Sequence, residues 1–294
     1  MKDAIVDKHL AIKLQVKRHV LGRFLGTYKS LFRGQGIEYD EIRKYVPGDD
    51  PKAIVWAKLA QLNEPYVKTF LEERDLTVLV ALDTSGSVFW ASPGKAELAL
   101  ETAASLIFSA GISRDRVGLV LFSEGIEKYI YPRRGMAHAG RLVQECADIG
   151  IGNRRTFLEQ SLRSIEKRRG PKRAVIFVIS DFVSQDNNGW QSALSSLGRR
   201  NDMIAIQIVD NWEQKPLSLG WVCAQDPEDG RCSLVHCDEK FSENMRRELL
   251  EMRRQFSAYA SAHGISRIEI CEGDDPLQQL RSFFQKRCQV LRRV

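Results

Sequence analysis

The sequence predicts an α/β protein with a doubly wound, mostly parallel sheet. Residues 78–82 and 174–179 are apolar throughout, and strands without polar alternation are typical of the interior of a parallel sheet. From residue 76 onward, further strand candidates alternate with helical patterns. Repeated strand–helix units of this kind indicate a sheet that carries helices on both faces.

Residues 1–74 lack this alternation and are predicted to form an N-terminal helical and extended segment that packs on the core. Apolar residues recur at helical spacing over 7–25, which predicts an amphipathic helix. Residues 37–46 and 66–70 are predicted to be extended. We therefore expect two parts in the chain, this segment and an α/β domain of residues 75–294.

The elements of the α/β domain follow from apolar periodicity and turn residues. Besides the two apolar runs, strands are predicted over 116–122, 203–209 and 266–270, and residues 127–131 could pair with the first of these as a hairpin. Helices are predicted over 96–110, 137–147, 157–167, 190–197, 239–263 and 276–291. The strand–helix alternation stops around residues 215–237. Two short antiparallel strands are predicted there, over 217–223 and 232–235, and they indicate a small β insertion.

Composition and charge favour a soluble cytoplasmic protein. The net charge of +6, from 44 basic and 38 acidic residues, is spread along the chain, which disfavours a nucleic-acid-binding module. No run approaches the roughly 18 apolar residues of a membrane span, and charged residues interrupt the N-terminus as they would not in a signal peptide. The six cysteines are scattered without a Cys-x-x-Cys pair, which indicates reduced thiols.

Two predicted strands deliver carboxylates to one edge of the sheet. Asp83 follows the first apolar run, Asp181 follows the second, and Ser85 and Ser87 add hydroxyls to the first loop. Ligand sites of open α/β sheets lie outside the carboxyl ends of such strands. Carboxylate and hydroxyl oxygens suit a hard cation such as Mg²⁺, or Mn²⁺ or Ca²⁺. These four residues are therefore candidate metal ligands.

The ligand set also indicates what such a cation would do. Hydroxyls add no negative charge, so a cation between two carboxylates would accept a further anionic oxygen, for example from an Asp or Glu of a partner protein. That is a binding device rather than a catalytic one. The local alternative is that Asp83 and Ser85 cap a helix or tie a loop. The second strand that ends in an aspartate favours the metal.

An enzyme is the less favoured function. A phosphatase of the haloacid dehalogenase type would use Asp83 as nucleophile, but it needs a second carboxylate where this chain has Ser85. The sequence has neither the Gly-x-Ser-x-Gly turn of a serine hydrolase nor a phosphate-binding loop of the Gly-x-x-x-x-Gly-Lys type. We predict no enzymatic activity; a metal-dependent hydrolase or phosphatase is the alternative, and a nucleic-acid-binding protein is less favoured still.

The strand-end pattern resembles the metal-ion-dependent adhesion site of von Willebrand factor A-type domains. Asp83-x-Ser85-x-Ser87 follows a buried strand, and Asp181 follows a later one. The resemblance implies a fold of that type with an N-terminal extension. It also implies a threonine ligand from an intervening loop, and Thr156 stands at the matching place. The implied metal ligands are thus Asp83, Ser85, Ser87, Thr156 and Asp181.

Motifs in the N-terminal third give the chain a narrower resemblance, from about residue 31 to about residue 236, to the bacterial family known as domain of unknown function 58. The residues that carry this resemblance are Arg33-Gly34-Gln35-Gly36, Arg43-Lys44-Tyr45, Pro47-Gly48-Asp49-Asp50-Pro51 and Trp56. Proteins of this family are usually paired with a MoxR-type AAA+ ATPase, so the resemblance implies an adaptor or chaperone partner of such an ATPase. Whether residues 47–51 are a structural turn or a partner-contact loop stays open.

Overall fold

The structure is a computed structural model, and it describes residues 41–46, 54–56, 64–69, 76–89, 93–149, 155–170, 173–183, 189–210, 220–226 and 230–291. The predicted helix over 7–25 and the segment 47–51 lie outside these residues. The division of the chain at residue 74 remains a prediction.

The strands and helices follow one another largely as the apolar pattern predicts. The strands are β1 (Glu41–Lys44), β2 (Tyr66–Thr69), β3 (Thr77–Asp83), β4 (Arg116–Phe122), β5 (Ile126–Arg133), β6 (Val175–Ser180), β7 (Asp202–Val209), β8 (Gly220–Gln225), β9 (Cys232–Cys237) and β10 (Ser266–Cys271). The helices are α1 (Gly86–Phe89), α2 (Pro93–Ile112), α3 (Met136–Ala147), α4 (Leu158–Arg168), α5 (Gly189–Arg200), α6 (Glu239–Ala262) and α7 (Pro276–Leu291).

The central sheet has the strand order β10-β7-β6-β3-β4-β5. Neighbouring strands are parallel from β10 to β4, and β5 alone runs antiparallel, on the outer side of β4. This confirms the predicted α/β class and its mostly parallel sheet. The hairpin formed by β8 and β9 confirms the two short antiparallel strands expected near residues 215–237.

Both faces of the sheet are covered, because β3 and β6 are buried along nearly their whole length. One core cluster contains Val80 and Leu82 together with apolar side chains of α2, α3 and α7. The other contains Leu79 and Ala81 with side chains of α4, α5 and α6. Alternate residues of one strand thus point into different cores, which explains why the sequence of β3 shows no polar alternation.

Two features differ from the sequence prediction and both lie beside the strand-end loop. A short helix, α1, begins at Gly86, directly after the loop that carries Ser85. Helix α2 begins at Pro93, three residues earlier than predicted, because proline suits the first position of a helix, whose N–H has no partner within the helix. Lys95 consequently lies in the first turn of α2. Within the described residues, none of the helices combines the length and apolar character that a membrane crossing requires.

Candidate metal centre

The two predicted carboxylates meet at the carboxyl edge of the sheet because β3 and β6 are parallel neighbours. Their register pairs Leu82 with Ile179, so the two strands end at nearly the same level of the sheet. Asp83 is fully buried and Asp181 is 4% exposed. A direct hydrogen bond joins the two strand ends: the Ser180 hydroxyl donates to Asp83 Oδ2 at 2.6 Å. The site is therefore built on two buried neighbouring strands of the central sheet.

Asp83 has hydrogen-bond donors at both carboxylate oxygens. Its Oδ1 accepts from the Ser85 backbone N–H at 2.9 Å, and its Oδ2 accepts from Ser180. Burial, and after it the nearby Asp181 carboxylate, raise the pKa of Asp83 to about 7, although these hydrogen bonds oppose the rise. In the absence of a cation, Asp83 is thus divided between its neutral and ionised forms near pH 7.

The two predicted serine ligands lie next to each other. Ser85 Oγ and Ser87 Oγ are 3.1 Å apart, on either side of the residue that begins α1. Ser85 is fully buried and Ser87 is half-buried. The side chains of the Asp-x-Ser-x-Ser loop therefore gather at one place, as the spacing predicts. A helix, α1, follows this loop directly. This also agrees with the local alternative, in which Ser85 caps the N-terminus of α1.

Thr156 is the predicted ligand that the described contacts place least directly. It is fully buried in the loop before α4. The next residue, Phe157, donates its N–H to the Ser123 carbonyl at 3.0 Å, and Ser161 donates its hydroxyl to the same carbonyl at 3.4 Å. Ser123 follows β4, which neighbours β3, so this loop lies at the same edge of the sheet. Membership of Thr156 in the ligand set stays a prediction.

A buried lysine that the sequence analysis did not single out lies at the site. Lys95 is 4% exposed, and its ammonium donates to Asp181 Oδ2 at 2.8 Å. A cation in the first turn of a helix opposes the helix dipole, so it needs an acidic neighbour to be stable there. The sequence signal was present: Lys95 stands two residues after Pro93, at the start of α2, among apolar residues.

The loop after β6 is held on both sides of Asp181. Asp181 Oδ1 accepts the N–H of Val183 at 3.1 Å, and Gln207 donates its side-chain amide to the Asp181 carbonyl at 3.0 Å. Phe182 has φ +57°, a left-handed conformation that costs a non-glycine residue free energy. Its ring stacks on Phe256, with centroids 4.2 Å apart. Burial of this ring holds the turn that presents Asp181.

Hydrogen bonds of Thr84 and Ser123 hold the other side of the Asp83 loop. The Thr84 hydroxyl lies 2.9 Å from the Phe122 carbonyl and 2.8 Å from Glu127 Oε1. The Ser123 hydroxyl donates to the same glutamate oxygen at 2.5 Å. Glu127, near the start of β5, therefore ties the loop after β3 to the loop after β4. The apolar pattern of the sequence places Glu127 in a hairpin strand and does not indicate this role.

Removal of the Glu127 carboxylate should loosen these two loops. We expect Glu127→Ala to lower the free energy of unfolding by about 1–3 kcal/mol, because the hydroxyls of the buried residues Ser123 and Thr84 lose an acceptor. Urea denaturation of wild type and variant measures this change. Glu124→Ala is the matched control, since Glu124 is a likewise exposed glutamate in the loop that precedes β5. Equal losses in the two variants would contradict the assigned role.

The donor atoms suit a hard divalent cation, but carboxylates alone do not form the site. Asp83, Asp181, Ser85 and Ser87 offer the oxygens that Mg²⁺ prefers. Within the residues that the structure describes, no three His, Cys, Asp or Glu side chains are grouped closely enough to hold a metal. Any cation bound here would thus depend on hydroxyl oxygens, water and an outside ligand, and it would meet the Lys95 ammonium at Asp181 Oδ2.

Comparison with known proteins identifies relatives whose function is also open. A family model described as "Protein of unknown function DUF58" matches residues 41–257. The uncharacterized protein Rv1480 of Mycobacterium tuberculosis is 27% identical over 226 residues, which are 74% of this chain and 69% of that protein. The same values hold for the uncharacterized protein Mb1516 of Mycobacterium bovis.

Solved structures that resemble this chain have low sequence identity to it. The conserved hypothetical protein BatB from Bacteroides thetaiotaomicron is 14% identical, with a TM-score of 0.47 over 73% of this chain and 99% of that one. A von Willebrand factor type A structure from Catenulispora acidiphila is 12% identical, with a TM-score of 0.43 over 77% of this chain and 44% of that one.

Proposed function

Since the chain belongs to the DUF58 family, whose function is unknown, we propose a function from its own site: a metal-dependent protein–protein interaction module. The observation that carries the proposal is the gathering of Asp83, Ser85, Ser87 and Asp181 at the carboxyl edge of the sheet. These residues, with Thr156 from the neighbouring loop, would hold Mg²⁺ directly or through water. Mn²⁺ or Ca²⁺ could take the same place.

The bound cation would supply an electrophilic position for an oxygen ligand. The chain's own contribution is to orient the donors: the Ser180 hydroxyl and the Ser85 N–H fix the carboxylate of Asp83, and the Val183 N–H fixes that of Asp181. A partner's Asp or Glu would complete the coordination. Because that ligand comes from outside, association with the partner would depend on the cation, and the cation would be held more firmly in the complex.

The contacts of Asp83 support binding rather than catalysis. A nucleophilic carboxylate must be ionised and must reach its substrate. Asp83 is fully buried, and both of its oxygens accept hydrogen bonds. Ser85, two residues further on, cannot act as the acid or base that a phosphatase of the haloacid dehalogenase type requires. The metal-dependent hydrolase is therefore the second candidate.

A MoxR-type AAA+ ATPase is the partner we propose, in the role of a motor for which this protein is an adaptor or chaperone. The proposal extends the pairing implied by the family resemblance. An ATP-driven partner also places the module in the cytoplasm, where ATP is available.

A capture experiment tests the proposal. The tagged protein is incubated with the MoxR-type ATPase of its source organism in Mg²⁺ and in chelator. We expect capture in Mg²⁺, loss of at least tenfold in chelator, and the same loss for Asp83→Ala in Mg²⁺. Asp148→Ala is the control, because it removes an exposed carboxylate at the end of α3. Capture by wild type and by Asp83→Ala in chelator that is as strong as capture by wild type in Mg²⁺ would show that the metal does not mediate the contact. Hydrolysis of generic phosphate esters that Asp83→Asn abolishes would support the phosphatase instead.

A further inference from the structure

Lys95 lies where a divalent cation would compete with it. Its ammonium is 2.8 Å from Asp181 Oδ2, and the side chains of the pair are only 5% and 4% exposed. Burial of an ammonium is stable only when an opposite charge and hydrogen bonds compensate for the lost water. The ion pair with Asp181 supplies part of that compensation. Lys95 is therefore a charged component of the site.

The other carboxylate oxygens of the site already have donors. Asp83 accepts from Ser85 and Ser180, and Asp181 Oδ1 accepts from Val183. These donors are neutral groups, which can stay in place when a cation binds nearby. The ammonium on Asp181 Oδ2 differs, because it carries the same sign of charge as the incoming metal. In a buried site this repulsion is weakly screened.

We propose that Lys95 is a built-in competitor of the divalent cation, and that the cation binds only when the Lys95 ammonium leaves Asp181. This inference rests on the proposed metal site and concerns its regulation. In one state Lys95 pairs with Asp181 and the cation is absent. In the other state the cation is bound and the lysine has moved away.

The two states differ in charge, and this gives the exchange a consequence for the partner. With Lys95 in place, the site has no open cationic position, and whenever both aspartates are ionised its net charge of −1 also repels a partner's carboxylate. With a divalent cation in place of the lysine, the site is neutral and has an open coordination position. Replacement of the Lys95 ammonium by the divalent cation would thus convert a site that rejects an acidic group into one that accepts it.

Mn²⁺ titrations of the purified full chain, followed by electron paramagnetic resonance and calorimetry, test the proposal. We expect Lys95→Met, which removes the charge and keeps the length of the side chain, to bind Mn²⁺ at least tenfold more tightly than wild type. Lys128→Met is the matched control, because Lys128 is an exposed lysine of β5 that also forms an ion pair, with Glu145. Its affinity should equal that of wild type.

Lys95→Gln is a second variant, which keeps the test informative if Lys95→Met does not fold. Glutamine is neutral and retains N–H donors for Asp181, and we expect it also to tighten Mn²⁺ binding. A second readout is the melting temperature, which Mn²⁺ should raise more in either Lys95 variant than in wild type, since a ligand stabilises the folded state according to its affinity.

The outcomes separate this inference from the proposed function. If wild type and both Lys95 variants bind Mn²⁺ equally and Asp83→Ala does not bind, the metal site stands and the competition by Lys95 is refuted. Weaker binding by the Lys95 variants also refutes the competition. If none of the proteins binds Mn²⁺, the metal site and the competition fall together.

Discussion

In chelator, the wild-type protein should lose stability as the pH rises from about 4 to about 7, and Asp83→Asn should abolish this loss. The cause is the buried carboxyl of Asp83. Its pKa is about 7 in the folded protein, against 3.8 for an exposed aspartate, chiefly because burial disfavours the charged form and Asp181 adds a like charge.

The sign of the effect follows from proton binding. Because the pKa of Asp83 is higher in the folded protein than in the unfolded chain, the folded protein binds more protons between these two pH values. The free energy of unfolding therefore falls as the pH rises through this window and levels off above it. The pKa difference corresponds to at most about 4 kcal/mol.

Asparagine keeps most of the contacts and removes the titration. Its carbonyl oxygen can accept from the Ser85 N–H, and its amide can donate to the Ser180 hydroxyl, so Asp83→Asn imitates the neutral aspartate. We expect the variant to match wild type near pH 4 and to exceed it at pH 8, by up to about 4 kcal/mol. Urea denaturation across this pH range in chelator measures the difference, in which the contributions of titrating groups far from Asp83 cancel.

An exposed aspartate provides the comparison for this experiment. Asp148→Asn should follow the pH profile of wild type, because Asp148 lies at the surface. A wild-type profile parallel to that of Asp83→Asn would contradict the raised pKa. Saturating Mg²⁺ adds a further expectation: a cation at the proposed site would keep Asp83 ionised, so the loss of stability between pH 4 and pH 7 should shrink.

The sheet could be predicted from the sequence because its strands are buried on both faces. Every side chain of β3 from Val78 to Leu82 packs in one core or the other, so this run is apolar without interruption. Because β6 has the same property, the sequence predicts that Asp83 and Asp181 lie at one edge of the sheet. Local sequence determines this arrangement, since parallel neighbours must end on the same side of a sheet.

The charge balance of the site could not be predicted in the same way. The pairing of Lys95 with Asp181 joins residues 86 positions apart, and no local pattern indicates which buried carboxylate a lysine will reach. The bond from Ser180 to Asp83 and the link from Glu127 to Thr84 are likewise tertiary contacts. Sequence periodicity reports which residues are buried, and it does not report how buried polar groups are paired.

The left-handed conformation of Phe182 is a further feature that sequence reasoning did not reach. Glycine or asparagine would be the expected residue at φ +57°. A phenylalanine is tolerated because its ring is buried: it is 7% exposed and stacks on Phe256. The second core thereby stabilises the turn that follows Asp181, and this gives a packing residue on α6 an influence on the site.

Phe256→Ala should therefore lower the free energy of unfolding by about 3–5 kcal/mol, the range for a large aromatic side chain removed from a core. Phe256 is 2% exposed, and its ring also contacts Trp190, with centroids 5.6 Å apart. Phe241→Ala is the matched control, because it makes the same change in the same helix at a residue that is 37% exposed. Urea denaturation should show a loss of less than about 1 kcal/mol for this control.

The same variant also tests the connection between the core and the site. Without the Phe256 ring, the left-handed turn at Phe182 loses the contact that offsets its strain of about 1–3 kcal/mol. We expect Phe256→Ala, but not Phe241→Ala, to weaken Mn²⁺ binding as well, since the turn positions Asp181. A large loss of stability with unchanged Mn²⁺ affinity would show that Asp181 is held by the Val183 N–H and Gln207 alone, and that the aromatic stack serves only the core.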